Sequence, residues 1–286
     1  MNMLVTGAGG QLAREWNLYL NSQDRDFVSY RSSDLDIGDP QAVTDVLDME
    51  EPAVIINCAA YTDVDGAEDD RETAMKVNRD GVKYLAAWCR EHRAVLVHYS
   101  TDYVFPGERA DLVTYPKGYP EEAETRPVNV YGESKLAGEK ELLNSGADYL
   151  LVRISWLCGQ YGSNFVKTML RLGRERSRID VVKDQLGSPT YTGSVTKLTG
   201  QLLNRGERGI FHITSAGMLS WYDLAEEIFR YSDMKVKLEG VTSGDYKSKA
   251  PRPFFSKLDT SGICRTLGTE MIPWQKGLHR LIDQLK

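Results

Sequence analysis

The sequence of 286 residues lacks the features that mark several classes of protein. It contains no apolar run near the ~20 residues that a membrane-spanning helix needs. Its formal net charge of −6 gives no basic excess, which argues against nucleic acid or an anionic membrane as a partner. Its first residues do not combine a basic start with an apolar segment, as a signal peptide does. We therefore expect a cytoplasmic protein that acts on neither nucleic acid nor membrane.

Cysteine and histidine are scarce, and neither is clustered. A zinc site needs such residues in closely spaced pairs, so the sequence predicts no metal site built from them. The thiols are expected to be free in a reducing compartment. The residues concerned are Cys58, Cys89, Cys158, Cys264, His92, His98, His212 and His279.

A glycine-rich turn follows directly on the first predicted strand, Met1–Thr6. Gly7, Gly10 and Ala13 form the pattern G-x-x-G-x-x-A, a variant of the dinucleotide-binding fingerprint. Gly7 allows a tight turn, Gly10 lets the backbone approach a pyrophosphate, and Ala13 allows close packing of helix on strand. The free N–H groups and the dipole of the following helix attract the phosphates. The pattern predicts a nucleotide cofactor at this turn.

The second predicted strand, 26–30, ends without the acidic residue that usually binds the ribose of NADH. Arg31 stands there instead and could meet the 2′-phosphate of NADPH. A solvated surface arginine explains the residue almost equally well. The sequence therefore favours NADPH modestly and leaves NADH open.

Two further predicted strands, 53–57 and 94–99, end in small or hydroxyl-bearing residues. Ala59, Ala60 and Tyr61 follow the first of them, and Thr101 and Asp102 follow the second. Open α/β sheets bind ligands at the carboxyl ends of their strands. We therefore expect these residues to face the same crevice as the glycine turn.

Two features of the connecting segments carry alternative interpretations. Asn78 lies inside a predicted helix, 71–92, where an asparagine is either solvated or holds a water near an active site; the sequence alone favours solvation. The segment 106–127 is rich in Pro, Gly and Glu, and its length suggests a lid or a wall beside the substrate.

Tyr131 and Lys135 are four residues apart and share one helix face. An unperturbed tyrosine has a pKa near ~10, and a nearby ammonium favours its phenolate, which makes the phenol a usable acid or base. On spacing alone, an ordinary amphipathic helix with a surface lysine is the commoner explanation. The glycine turn and Thr101 occur in the order that one site requires, and this favours the catalytic interpretation.

The alternation of strands and helices up to residue 154 predicts a doubly wound parallel sheet of the Rossmann type, with a smaller, interleaved α/β substrate domain. We assign residues 1–154 plus roughly 190–214 to the cofactor domain, and roughly 155–189 plus 215–286 to the substrate domain. In the latter, Arg252 lies in a stiff basic segment, either as a surface arginine or as a clamp on a substrate phosphate.

These motifs resemble the extended branch of the short-chain dehydrogenase/reductase superfamily. Thr101, Tyr131 and Lys135 match the catalytic triad of that superfamily, and Asn78 matches its helix asparagine. The sequence is most similar to the dTDP-4-dehydrorhamnose reductase family, over nearly its whole length. The segments that carry this resemblance are Gly7–Leu12, Asn57–Asp65, His98–Gly107, Asn129–Glu139, Arg153–Trp156, Asn164–Met169, Asp184–Thr190 and Arg252–Pro253.

The resemblance implies an oxidoreductase that reduces C4 of dTDP-4-dehydro-L-rhamnose with NADPH or NADH, giving dTDP-L-rhamnose, a donor for cell-surface polysaccharide. It implies that Tyr131 protonates the C4 oxygen, that Lys135 binds the nicotinamide ribose and lowers the Tyr131 pKa, and that Thr101 orients the keto group. Sugar-nucleotide contacts are implied for Thr101, Asp102 and Trp156. Cofactor contacts are implied for Gly7, Gly10, Gln11, Leu12, Asp36, Ile37, Ala59, Ala60, Tyr61 and Asn78.

The sequence departs from the family pattern at one place. Some members form a dimer through Mg²⁺ held by acidic residues. Glu15 matches one such ligand, but the later segment, 191–195, has no acid. Mg²⁺ is therefore doubtful, Glu15 is as well explained as a surface carboxylate, and we expect a monomer or a weak homodimer.

Two other functions remain open. An epimerase or dehydratase acting on a nucleotide sugar would use the same scaffold but recycle its nicotinamide. A non-catalytic NADP-binding subunit is the other alternative, although such a module has no need of Thr101, Tyr131 and Lys135.

Overall fold

The strands of the computed structural model, which describes residues 2–246 and 248–286, differ little from those predicted. Met1, where the first predicted strand began, lies outside the described residues. In chain order the strands are β1 (Met3–Thr6), β2 (Phe27–Tyr30), β3 (Val54–Asn57), β4 (Val95–Thr101), β5 (Asp148–Ile154), β6 (Leu157–Cys158), β7 (Arg178–Val182), β8 (Leu186–Gly187), β9 (Thr190–Tyr191), β10 (Gly209–Ile213), β11 (Leu219–Ser220) and β12 (Lys237–Val241).

The helices occupy most of the segments between these strands. They are α1 (Gln11–Ser22), α2 (Pro40–Glu50), α3 (Arg71–Met75), α4 (Gly81–His92), α5 (Asp111–Thr114), α6 (Val130–Asn144), α7 (Phe165–Glu175), α8 (Thr192–Asn204), α9 (Trp221–Tyr231), α10 (Ser261–Leu267) and α11 (Trp274–Leu285). A π-helical turn, Lys76–Asp80, joins α3 to α4, and short 3-10 turns occupy Gly66–Glu68 and Asp102–Val104.

Six strands form one parallel sheet in the order β10-β5-β4-β3-β1-β2. The residues of β3 and β4 are buried throughout, because helices cover both faces of a sheet of this kind. The chain turns from β1 to β2 on one side and then continues through β3 on the other. The doubly wound sheet expected from the sequence is confirmed, and its ligand crevice is expected where this direction changes.

Two apolar cores cover the sheet, and two others lie outside it. One face of the sheet packs against α1, α8 and α10, and the other against α2, α4 and Leu142 of α6. A third core joins α7, α9 and α11. The division into two interleaved domains stays a prediction; α10, which it assigns to the substrate domain, packs against the sheet through Ile263 and Leu267.

The segment predicted as one helix, 71–92, contains the π-helical turn at Lys76–Asp80. At this turn α6 lies very close: a Cβ on Gly138 would be 2.0 Å from the carbonyl oxygen of Asn78. Asn78 is 1% exposed, so the interpretation as a solvated residue is wrong.

The segment 106–127 has more structure than its composition suggested. Tyr119 is fully buried and stacks on Phe105, with ring centroids 4.4 Å apart. Its backbone bridges to Leu258, and its hydroxyl bonds to the carboxylate of Asp111. These contacts fix the segment against the body of the protein instead of leaving it free as a lid.

Candidate active site

A groove of about 1020 Å³ runs along the carboxyl ends of the parallel strands. It contains every site residue proposed from the sequence except Asn78, Arg252 and Glu15. The proposed residues that line it are Gly7, Gly10, Gln11, Leu12, Arg31, Asp36, Ile37, Ala59, Ala60, Tyr61, Thr101, Asp102, Tyr131, Lys135 and Trp156.

The glycine turn forms one end of this groove. Gly7 has φ +68, and a Cβ there would lie 2.8 Å from the backbone nitrogen of Ala59, so only glycine fits. Gly10 is the N-cap of α1 and has no side chain to cap it. The first N–H groups of α1 are thus left for another acceptor. An open helix N-terminus and a turn without side chains fit a pyrophosphate.

The far side of the turn carries the residues expected at the adenine and ribose. Arg31 is exposed at the end of β2 and lines the groove. Asp36 bonds to Lys76 at 3.0 Å and to the Gly38 N–H at 2.9 Å. Burial raises the pKa of Asp36, but these two bonds outweigh it and leave the pKa below its ordinary value. Asp36 therefore carries a charge that Lys76 already neutralises.

Tyr131 and Thr101 meet in the middle of the groove, where α6 crosses the end of β4. Asn129 begins this helix by accepting a hydrogen bond from the Gly132 N–H at 2.8 Å, which places Tyr131 in the first turn. Burial raises the pKa of Tyr131 to about 12, hydrogen bonding to Thr101 opposes this, and the nearby Asp102 adds to it. The phenol is therefore protonated at neutral pH.

Lys135 is buried one turn further along α6. Its Nζ donates to the backbone oxygen of Tyr99 at 2.7 Å and lies 3.4 Å from Nε2 of His98. Burial lowers the pKa of Lys135 to about 8. Besides burial, the groups among the described residues that shift the Tyr131 pKa are Thr101 and Asp102; a lowering of that pKa by Lys135 stays a prediction.

Two buried polar atoms near Thr101 have no partner among the described residues. They are the Ser100 hydroxyl and Oδ2 of Asp102, and both residues line the groove. The other oxygen of Asp102 accepts from the Thr101 hydroxyl at 2.9 Å. Burial raises the pKa of Asp102 to about 7. Buried polar groups are rarely left unpaired, so this part of the groove fits a polar ligand.

Trp156 lines the same groove in a strained conformation, with φ +44. Its ring stacks on Trp221, with centroids 3.6 Å apart and planes 12° apart. A Cβ on Gly187 would lie 2.7 Å from the same ring, so glycine makes room for it. The pair forms a flat apolar surface in the groove.

Asn78 and Arg252 are not among the residues that line the groove. Asn78 accepts from the Tyr61 N–H at 2.9 Å and donates to the Tyr61 carbonyl at 3.0 Å and to Ser134 Oγ at 2.9 Å. It thus holds the strand end that carries Tyr61. Arg252 forms an ion pair with Asp65 at 3.1 Å. A role of Arg252 at a substrate phosphate stays a prediction.

Glu15 lies on α1, outside the groove, and its carboxylate accepts from the Thr192 hydroxyl at 3.0 Å. The described residues contain no group of three or more His, Cys, Asp or Glu side chains that could hold a metal ion. Whether Mg²⁺ joins two copies of the chain stays open.

Comparison with known proteins gives one consistent result. The family profile described as "RmlD substrate binding domain" matches residues 1–286. A dTDP-4-dehydrorhamnose reductase of Aggregatibacter actinomycetemcomitans is 40% identical, over 98% of this chain and 97% of the relative. The chain belongs to the dTDP-4-dehydrorhamnose reductase family.

Two further relatives show how similar other proteins are to this family member. The crystal structure of a dTDP-4-dehydrorhamnose reductase from Bacillus anthracis, in complex with NADP, has a TM-score of 0.93 and 39% identity, covering 99% of each chain. A dTDP-4-keto-6-deoxy-D-glucose reductase of Streptomyces niveus is 43% identical over 79% of this chain and 77% of its own.

Sequence reasoning missed part of the groove of this reductase-family chain. Tyr103, whose ring packs edge-on against Tyr131 at 5.6 Å, follows the Thr101–Asp102 pair directly, and that position could have signalled it. Trp221 gave no signal, because it lies 65 residues beyond its partner Trp156. The groove-lining residues that the sequence did not indicate include Cys58, Tyr103, Gly162, Ser163 and Trp221.

The described part of this family member has no helix of the length and apolar character that crossing a membrane requires.

Proposed function

We propose that this chain reduces the C4 keto group of dTDP-4-dehydro-L-rhamnose with NADPH and that Tyr131 is the proton donor. The chain is an NADP-dependent oxidoreductase of its family. The observation that carries the proposal is a single groove lined by the Gly7–Gly10 turn at one end and by Thr101, Tyr131 and Lys135 in the middle.

NADPH, when bound, supplies the hydride that reaches C4. Tyr131 would deliver its phenolic proton to the C4 oxygen, since a pKa of about 12 keeps that proton in place at neutral pH. Thr101 would hold the same oxygen by a hydrogen bond, which requires its hydroxyl to turn away from Asp102. General acid catalysis of this kind contributes roughly 10²–10⁴-fold to a rate.

Asp102, Trp156 and Arg252 would contact the sugar nucleotide. Oδ2 of Asp102 is buried and unpaired among the described residues, so it offers an acceptor to a sugar hydroxyl. The Trp156–Trp221 stack supplies a flat apolar wall, which suits the C–H face of a sugar or a base ring. Arg252 would reach a phosphate only by sharing its charge with Asp65.

A preference for NADPH would come from Arg31, exposed where an acid would otherwise bind a ribose. The variant Arg31→Ala should weaken NADPH binding roughly tenfold, about 1.4 kcal/mol, while NADH binding changes less than about twofold. Dissociation constants measured from nicotinamide fluorescence for both cofactors decide this, with Arg25→Ala, exposed near the far end of α1, as control. Equal losses for both cofactors would show that Arg31 does not bind the 2′-phosphate, and no loss for either would assign Arg31 to the surface.

Stoichiometry distinguishes the reductase from an epimerase or dehydratase. Purified protein mixed with NADPH and dTDP-4-dehydro-L-rhamnose should consume one NADPH for each sugar reduced. The loss of nicotinamide absorbance measures the NADPH consumed, and chromatography measures the product. Turnover of sugar without net loss of NADPH would contradict the proposal. If no substrate is turned over and a stoichiometric enzyme partner is captured, the chain is a non-catalytic subunit.

A second substrate is favoured by one relative, the dTDP-4-keto-6-deoxy-D-glucose reductase that is 43% identical. The two keto sugars differ in ring stereochemistry and share the nucleotide and the reacting carbonyl. Comparing kcat/KM for both sugars, and for the same sugar on UDP, measures which stereochemistry and which base the groove selects.

A further inference from the structure

A chain of buried hydrogen bonds leads from the strand before the glycine turn to Lys135. Thr6, Asn57 and His98 stand at the carboxyl ends of β1 and β3 and within β4, and each is at most 1% exposed. The Thr6 hydroxyl donates to Oδ1 of Asn57 at 2.6 Å. Nδ2 of Asn57 lies 3.1 Å from Nδ1 of His98, and Nε2 of His98 lies 3.4 Å from Nζ of Lys135.

The orientation of the Asn57 amide follows from its contact with Thr6. The Ala59 N–H is shared between Thr6 Oγ1 at 3.1 Å and Oδ1 of Asn57 at 3.2 Å. The Thr6 hydroxyl lies 2.6 Å from Oδ1 of Asn57, a distance that suits an O–H···O bond and is too short for an amide nitrogen in that place. The NH₂ group of Asn57 therefore faces His98.

This orientation determines the tautomer of His98. Nδ1 receives the Asn57 N–H and so carries no proton. Burial and the nearby Lys135 lower the pKa of His98 well below its ordinary value, so the ring is neutral and its single proton is on Nε2. That N–H faces the lysine nitrogen.

Lys135 therefore meets a donor at His98 as well as an acceptor at the Tyr99 carbonyl. An ammonium has three N–H groups and no lone pair, so it cannot accept the His98 proton; a neutral amine can donate to Tyr99 and accept from His98 at once. We infer that His98 is a positioning residue for Lys135: its Nε2–H favours the amine and weakens the hold of Lys135 on its proton. The inference rests on the proposed function only where it concerns catalysis.

The other titratable groups around Lys135 do not supply this effect. Glu139, on the next turn of α6, raises the pKa of Lys135, but its carboxylate is held by Arg153 of β5 at 3.0 and 2.7 Å. Tyr131, one turn earlier on α6, is protonated. Burial raises the pKa of the Cys58 thiol after β3, which also lines the groove, so this thiol is uncharged.

The tautomer can be observed directly, without substrate. In the full chain labelled with ¹⁵N-histidine, long-range ¹H–¹⁵N spectra at neutral pH distinguish the two neutral tautomers from imidazolium, and the signals that vanish in His98→Leu belong to His98. We expect the Nε2–H tautomer, and we expect it unchanged in Lys135→Met, because Asn57 fixes it from the other side. An Nδ1–H tautomer or an imidazolium would overturn the inference, whatever the enzyme catalyses.

The effect on Lys135 is measured by the pH at which reduction falls as Lys135 loses its proton. His98→Leu removes the opposing donor, and Asn57→Ala frees the ring to present a lone pair. Both should move the fall to higher pH by about one unit, a tenfold change in proton affinity. His92→Leu, which removes a histidine that stacks on Trp88, should leave that pH unchanged. If neither His98→Leu nor Asn57→Ala moves it, His98 has only a structural role; absence of turnover in the unmodified chain would instead contradict the proposed function.

Discussion

Tyr131 and Lys135 share one face of α6, as their spacing predicts, but their side chains have different neighbours. Tyr131 meets Thr101, whereas the nitrogen of Lys135 is held by the Tyr99 carbonyl at 2.7 Å. Sequence spacing places two residues on one helix face; it does not contain the carbonyl that the packing of α6 on β4 brings beside one of them. The pair could therefore be predicted, and its hydrogen bonds could not.

The altered pKa of Lys135 predicts the pH dependence of the reaction. Burial lowers this pKa to about 8, so the ammonium is present below that pH and the amine above it. Tyr131 stays protonated until about 12. If the ammonium supports the reaction, kcat/KM for reduction should fall as pH rises through about 8. A profile measured with free enzyme tests this, and a rate that is flat up to pH ~10 would contradict it.

Asp102 predicts a pH-dependent difference in stability. Its pKa is raised by burial to about 7, above the ~3.9 of an unfolded aspartate, so the folded state binds this proton more tightly. The resulting stability is complete below pH ~4 and is lost as pH rises through about 7. The variant Asp102→Asn has no carboxylate to ionise. The difference in free energy of unfolding between this variant and the unmodified chain should therefore shift in favour of the variant by roughly 2–4 kcal/mol from pH 4 to pH 8.

Thermal unfolding of both proteins at the two pH values measures this change, with Asp34→Asn, an exposed position, as control. A constant difference between the two proteins would show that Asp102 is ionised without cost in the folded chain.

Helix beginnings are the elements that sequence predicts best, because their signals are local. Asp39 precedes Pro40 and accepts a hydrogen bond from the Gln41 N–H at 2.9 Å. Ser220 and Asp223 form a capping box. The sequence does not predict the π-helical turn at Lys76–Asp80, and the helix that lies against it, α6 with Gly138 beside the Asn78 carbonyl, is distant in sequence. The sequence leaves the segment 106–127 as either a lid or a wall beside the substrate, because its anchor, Leu258, lies far along the chain.

The glycine turn between β1 and α1 predicts an asymmetry between neighbouring glycines. Gly7→Ala would strain a left-handed residue and place its Cβ 2.8 Å from the Ala59 nitrogen. We expect a loss of about 1–3 kcal/mol in the free energy of unfolding. Gly9→Ala meets no atom of the protein within 4 Å and should change stability by less than about 0.5 kcal/mol. Urea denaturation compares them, and equal losses would contradict the strain at Gly7.

At the scale of the whole molecule, the sheet order explains why residues so distant in sequence share one groove. The strand ends that carry Gly7, Ala59 and Thr101 are neighbours because β1, β3 and β4 are adjacent and parallel. The alternation of strands and helices predicts this arrangement. It cannot predict the wall formed by Trp156 and Trp221, because no periodic pattern relates the third core, to which both belong, to the sheet.

The account as a whole depends on Tyr131 acting as the acid for a keto sugar reduced in this groove. The most direct test is single-turnover reduction of dTDP-4-dehydro-L-rhamnose with saturating NADPH. It compares the unmodified chain, Tyr131→Phe and the control Tyr149→Phe, whose residue lies near the amino end of β5. We predict that Tyr131→Phe binds NADPH normally and slows reduction at least ~100-fold, while Tyr149→Phe keeps the original rate. A Tyr131→Phe protein that reduces the sugar at nearly the full rate would contradict the account.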